Sequence, residues 1–179
     1  MKKSIFFITA CYFVLLSLNS CSEDEDVVTR EEFLSAQINE NNFNVSRQNG
    51  ILRAEKQLSS YGTINLLVSG ENYEGKSIEF LVLYYNGEKT YTIGNRPFLT
   101  PGSFLNTNWC KYSEHDSDEL WSTINEFFYT GLLSNYVEIT EDDGSYITGN
   151  FSFEGHNSAG SSSRLISDGN FRLKVKHAY

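Results

Sequence analysis

Short runs that alternate apolar and polar side chains recur through this chain, and almost every one is closed by glycine, asparagine or aspartate. The runs are SAQI, NFNVS, ILRAEKQL, TINLLVS, KSIEFLVLYY, KTYTI, SFLNTNWCKYS, YVEIT, YITGNFSFEG and LISDGNFRLKVK. Period-two alternation places one set of side chains on each face of an extended strand. The punctuation falls at Glu40-Asn41-Asn42, Asn49-Gly50, Gly62, Gly70, Asn86-Gly87, Asp143-Gly144 and Ser158 to Ser163. Strands at spacings of about 8–12 residues with such turns predict an antiparallel β-sandwich or flattened barrel of about nine to ten strands. Proline is confined to Pro97 and Pro101, in one loop. No helices of βαβ length separate the runs, which excludes a parallel α/β sheet.

Several local readings follow. Asn86-Gly87 and Asp143-Gly144 each sit between two runs and predict tight hairpins, since both dipeptides readily supply positive φ. ITGNFSF and SDGNFRL share Gly-Asn-Phe-x-apolar and read as paired strands across the Ser/Gly loop, with Gly149 and Gly169 at bends or bulges. IEFLVLYY is apolar on both faces, so each face needs a cover. One candidate cover is 116–131, where Leu120, Trp121, Ile124, Phe127 and Phe128 fall at helical spacing. Asp116 with Glu119 suits a capping box and Gly131 a stop, which favours a short helix near 117–129. The Thr, Ile, Phe and Tyr in its second half favour strand equally well.

The first 20 residues have another character. Met-Lys-Lys precedes about a dozen mostly apolar residues, the layout of a secretory signal. That run is shorter than the roughly 20 residues of a membrane-spanning helix. Leu18-Asn19-Ser20-Cys21 follows it and resembles the bacterial lipobox, with Leu18, Ser20 and Cys21 on the pattern. The resemblance implies cleavage before Cys21 and acylation of its thiol and amine, with several acyl chains anchoring the chain to outer-membrane lipid. Residues 21–32 then read as a solvated tether, because Glu23, Asp24, Glu25 and Asp26 repel one another and resist burial. Extended, its eleven residues after Cys21 span roughly 35 Å. An acidic run at this place also resembles the surface-export signal of Bacteroidota lipoproteins, which implies the exterior face of the outer membrane, the periplasmic face being the alternative. The folded domain is expected over 33–179.

Loss of the signal removes two lysines and no acids, taking the net charge from −9 to −11. Nucleic acid needs a basic footprint, so that class of partner is excluded. Of three cysteines, Cys11 leaves with the signal and Cys21 is acylated, so Cys110 has no disulfide partner and reads as a small buried hydrophobe. The core must therefore supply the stability.

The chain from about Phe33 onward resembles the small β-rich Bacteroidota lipoproteins grouped as a domain of unknown function. The likeness rests on FLSAQINENNF, KTYTIG, YVEIT with YITGNFSFEGHN, and SDGNF. It departs from them at Phe43, where they carry Trp, and at Asn150, where they carry Thr. It implies an exported all-β domain and carries over no catalytic residue.

Chemistry is sparse. His115 sits among Glu114, Asp116, Asp118 and Glu119, a spacing that matches neither an EF-hand nor a zinc motif, so this reads as a solvated acidic loop. Asp143 and its neighbours read as a turn, and His156 and His177 as exposed. No Gly-x-Ser-x-Gly elbow, phosphate loop or dinucleotide fingerprint is present, and no metal or cofactor is expected. Aromatics carry the remaining signal. Trp109, Tyr112 and Trp121, with Phe127, Phe128 and Tyr129, gather in one quarter of the chain and suit stacking on a sugar or gripping a protein. The same rings suit a core role over IEFLVLYY. The sequence thus favours a lipid-anchored, non-catalytic binding or accessory module for a glycan or protein, ahead of a structural subunit held through a strand edge, with a hydrolase third.

Overall fold

The computed structural model describes residues 30–94, 107–114, 119–124 and 135–178. Their chain order is β1 (Phe33–Ile38), β2 (Asn41–Ser46), β3 (Gly50–Leu58), β4 (Ile64–Asn72), β5 (Ser77–Val82) and β6 (Lys89–Thr92). Then come β7 (Trp109–Ser113), β8 (Leu120–Ser122), β9 (Tyr136–Asp142), β10 (Tyr146–His156) and β11 (Ser163–Ala178). Among the described residues there is no helix, and so none long and apolar enough to cross a membrane.

Pairing builds two layers. Six strands run antiparallel in the order β2-β1-β11-β10-β9-β6, and five in the order β3-β4-β5-β7-β8. The layers join at two seams. β11 pairs in parallel with β3 from Val175 to Ala178, and His156 of β10 pairs with Ser122 of β8. The whole is thus a sandwich whose sheets run into each other, a flattened barrel closed by short seams. Alternation along each strand supplies the filling. Ile78, Phe80 and Val82 of β5 point inward and are fully buried, as are Phe151 and Phe153 of β10 and Phe171 and Leu173 of β11.

The two Gly-Asn-Phe segments explain how the layers close on each other. They pair antiparallel, so Gly149 faces Phe171, Asn150 faces Asn170, and Phe151 faces Gly169. Each ring lies across the glycine opposite it. A Cβ on Gly149 would stand 2.7 Å from the Phe171 ring, and one on Gly169 would stand 2.5 Å from the Phe151 ring. Into the space between the two rings comes Phe80 from the facing sheet, with centroids 5.6 Å from Phe151 and 5.4 Å from Phe171. A bulge between Phe151 and Phe153, where Asp168 takes φ 51°, lets the strand bend while its rings stay inside.

Asparagine and aspartate side chains end the strands. Asp143 Oδ1 accepts the Ser145 and Tyr146 N–H groups and forms the expected β9–β10 turn. The β1–β2 turn falls at Asn39 and Glu40, one residue earlier than the punctuation implied, with φ 47° and 73°. Both positive values make it a two-residue hairpin.

Other expectations are corrected. Asn86-Gly87 does not close a hairpin, because β6 pairs with β9 in the other sheet. β5 stops at Val82, where Asn108 Oδ1 accepts the Leu83 N–H (2.8 Å) and Asn65 Oδ1 accepts the Tyr84 N–H (3.2 Å). Tyr84 then adopts φ 53°, and the chain crosses between layers as Tyr85 stacks on Tyr91 at 5.8 Å. Within the segment that favoured a helix, Leu120–Ser122 forms β8 instead and sends Trp121 into the core; 115–118 and 125–134 lie outside the described residues. β8 also raises the strand number above the ten runs read from the sequence. The outer face of β5 has no helical cover among the described residues: Leu81 shares a half-buried row with Leu67 and Trp109. Glu32, placed in the tether on sequence grounds, is held by the domain, for its carboxylate accepts from Arg47 and from the Lys174 N–H.

Overpacking this interior is the sharpest test of the Gly-Phe arrangement. Gly169→Ala should cost about 1–3 kcal/mol, read as a Tm lowered by about 2–4 °C per kcal/mol in a domain of this size. Adding Phe151→Leu should cost less than the sum of the two single changes, because the smaller side chain vacates the space the new methyl needs.

Candidate functional site

Described residues line a pair of clefts at separate places on the fold. The larger, about 600 Å³, opens at one end of the sandwich between the two layers. The β1–β2 hairpin supplies Asn39, Asn41 and Asn42; the β4–β5 turn supplies Asn72, Glu74 and Lys76. Glu114 follows β7, and Arg164 opens β11. Ile38, Phe43 and Tyr112 form the floor.

Each wall is held in place from behind. The Asn39 N–H donates to the Leu165 carbonyl (3.0 Å), and Asn39 Oδ1 accepts the Leu165 N–H (3.0 Å), pinning the hairpin tip to β11. Asn72 Oδ1 accepts the Lys76 N–H at 3.0 Å, and Gly75 turns the chain at φ 79°. The Tyr112 hydroxyl donates to Glu114 Oε1 at 2.9 Å. Burial, and then this carboxylate, push the Tyr112 hydroxyl above the usual phenol range, so it stays a neutral donor. Arg164 lies 4.2 Å over the Trp121 ring and 3.8 Å from Glu114, while Trp121 Nε1–H donates to Ser162 Oγ. Lys76 donates to Glu74 at 3.2 Å.

The smaller cleft, about 390 Å³, lies on the outer face of β9, β10 and β11. Tyr136, Asn150, Ser152, Glu154, Asp168 and Asn170 line it.

The rings singled out by sequence are divided by the pleat of the strands. Tyr112 and Trp121 are only 1% and 0% exposed and stack on each other at 5.7 Å, so neither offers a free face to a ligand. Trp109 points the other way, half-buried on the outer face of the five-stranded sheet with Lys111 over its ring at 5.2 Å. The three do not form one platform. Cys110 lies between them, fully buried, and loss of solvent pushes its thiol well up, leaving it unreactive. His156, expected to be exposed, is half-buried within β10, whereas His177 is exposed and contacts the Gly144 carbonyl. Leu18, Ser20, Cys21, the acids Glu23 to Asp26, and His115, Phe127, Phe128 and Tyr129 lie outside the described residues. Among the described residues no three His, Cys, Asp or Glu side chains converge.

Sequence reading took Asn41 and Asn42 for turn punctuation and passed over Asn72, Glu74 and Arg164. The density of amides in NENNFN was the available signal. What joins these residues is a cross-layer approach that no local pattern encodes.

A largely buried polar cluster joins the two layers. Lys56 of β3 donates to both Asp142 oxygens (2.8 and 2.7 Å), and the Tyr85 hydroxyl donates to Asp142 Oδ2 at 2.6 Å. The Gly144 N–H donates to Asp142 Oδ1 as well. Burial raises the Asp142 carboxyl, but the Lys56 ammonium, the Tyr85 hydroxyl and the Gly144 N–H outweigh it and hold the group below the usual carboxylate range. Every oxygen is committed, so the cluster fastens β3 to β9 across the layers.

Comparison with family models, with curated proteins and with solved structures finds no match for this chain.

The linkage of Asp142 has a definite sign. A carboxyl whose folded pKa is depressed stabilises fully above its unfolded value near 4 and loses that contribution as pH falls through the folded value. Asp142→Asn should therefore cost about 3–5 kcal/mol at neutral pH, since it strands a buried ammonium. The penalty should shrink below about pH 4, measured by denaturant unfolding across the acid range. Lys56→Met with Asp142→Leu should be less damaging than either change alone.

Proposed function

We propose that this chain is a lipid-anchored, exported module that binds a glycan or protein ligand at the cell surface without catalysing its conversion. The observation that carries the reading is the end cleft, a concave site whose walls are preset by hydrogen bonds from behind and whose amide and charged ends face inward. Its volume of about 600 Å³ lies within the range of ligand sites. Walls already ordered before binding lose little conformational freedom on complex formation.

Anchorage is supported by the Lys-Lys and apolar segment leading to Leu18-Asn19-Ser20-Cys21, and outward display by Glu23 to Asp26. On this reading Cys21 is the sole covalent tie to the membrane, and the acids hold the domain away from it.

The structural-subunit reading needs an open strand edge, and one edge of the six-stranded sheet is partly filled from within. Asn49 Oδ1 accepts the Ser46 N–H at 2.6 Å, and its Nδ2 donates to the Asn44 carbonyl at 3.2 Å, so this side chain takes up outward-facing groups of β2. The hydrolase reading draws on Glu74 and Glu114 in one cleft, yet each already faces a cation across its carboxylate.

Two measurements test the proposal. Cys21→Ser should abolish acyl labelling and release the chain from the membrane fraction; retention of both would overturn the anchor. Thermal unfolding of the whole chain in detergent against glycans and peptides should show a ligand that raises Tm. A ligand at about 100 times its dissociation constant contributes roughly 2.7 kcal/mol. A monodisperse chain with no shift from any probe would overturn the binding reading.

A further inference from the structure

We infer that the end cleft takes an uncharged saccharide, held through its hydroxyl groups by Asn42, Asn72, Glu74 and Lys76; this rests on the binding reading above. The charge pattern comes first. The two cations in the cleft are each matched, Lys76 by Glu74 at 3.2 Å and Arg164 by Glu114 at 3.8 Å. Such a site has no surplus charge with which to draw a phosphate, a carboxylate or a metal ion. What it presents instead is donors beside acceptors.

A hydroxyl both donates and accepts, so a sugar is matched by amides and carboxylate–ammonium pairs in close alternation. Asn42 is exposed, and its amide makes no hydrogen bond with any described residue. Asn72 commits its Oδ1 to the Lys76 N–H and leaves its Nδ2 without a described partner. Glu74 uses one oxygen for Lys76 and keeps the other. These groups are carried by two hairpin turns whose backbones are fixed by Leu165 and by Asn72 itself, so they are ordered before any ligand arrives.

Tyr112 forms part of the floor but is only 1% exposed, and Tyr73, 76% exposed in the β4–β5 turn between Asn72 and Glu74, does not line the cleft. Its backbone N–H is anchored to the Asn49 carbonyl at 3.0 Å, which fixes the ring's root while leaving its faces to solvent. The cleft therefore engages a sugar through its hydroxyl groups, by donors and acceptors in alternation. A peptide bound by strand addition would use the β2 edge instead, where Asn49 already occupies the Asn44 carbonyl and Ser46 N–H.

The test presents the whole chain in detergent to an array of neutral oligosaccharides (glucans, mannans, galactans and N-acetylhexosamine polymers), alongside sulfated and phosphorylated oligosaccharides and a peptide library. A neutral saccharide is expected to bind, with affinity unchanged between low and high salt. Asn42→Ala and Glu74→Gln should each weaken it about tenfold, and Tyr73→Ala, outside the cleft lining, should weaken it less. All three positions are exposed, so each variant should unfold at the parent temperature. Glu154→Gln in the second cleft should leave binding unchanged. Capture of a peptide or an anionic glycan that Asn42→Ala abolishes would overturn the ligand class and leave the binding module standing. Saccharide binding indifferent to Asn42→Ala and to Glu74→Gln would overturn the site. Silence across every probe would overturn both readings.

Discussion

Two phenylalanine rings laid across two glycines hold this fold together. Phe151 covers Gly169 and Phe171 covers Gly149, so the central strand pair can carry large rings on its inner face without forcing its partner away. The space gained is filled from the other layer by Phe80. β10 and β11 are also the strands that reach both seams, β10 through His156 and β11 through Val175 to Ala178. A shift of one residue in their pairing would put each ring against an asparagine and send the rings toward solvent. Register, closure and core filling therefore depend on one reciprocal contact.

With the middle packed by apolar groups, the ends are left to asparagine and aspartate. Asn49, Asn65, Asn108 and Asp143 each take over backbone N–H groups where a ladder stops. Asn157 does the same within the β10–β11 loop, accepting from Ser161 and Ser162. A buried backbone group without a partner costs more than a typical hydrogen bond contributes, so these amides are structural before they are anything else. Their consequence is a set of short, stiff turns at the ends of the sandwich. Asn39 and Asn72 act in the same way at the two turns that bound the end cleft.

Polar residues of the same kinds thus serve opposite ends. Asp142, Lys56 and Tyr85 lie between the layers with their polar groups committed to one another and, at Asp142, to the Gly144 N–H. Asn42, Asn72 and Glu74 keep bonding capacity that the described fold does not consume. Satisfaction separates the two groups; residue type does not. The Lys56–Asp142 pair, nearly buried between the layers, is a fastener, whereas the pairs at the cleft, Lys76 with Glu74 and Arg164 with Glu114, are more exposed and contribute little to stability.

Alternation with a period of two is a property of neighbouring residues, so the strands, their inward faces and the pairing of ITGNFSF with SDGNFRL were readable from the chain alone. Turn chemistry is equally local, and Asp143-Gly144 behaves as written. Asn86-Gly87 does not, because whether a turn closes a hairpin depends on which strand waits beyond it, and here Asn65 and Asn108 intercept β5 from elsewhere in the chain. The segment around Trp121 divided helix from strand evenly in its local preferences, and a buried slot beside Tyr112 and Arg164 decided it. The cleft belongs wholly to tertiary structure: its walls come from β1–β2, β4–β5, the end of β7 and the start of β11, more than 120 residues apart between Asn39 and Arg164. Local sequence determines which residues face inward, since that needs only the pleat; which faces meet is decided by long-range packing, through rings and amides whose partners lie far along the chain.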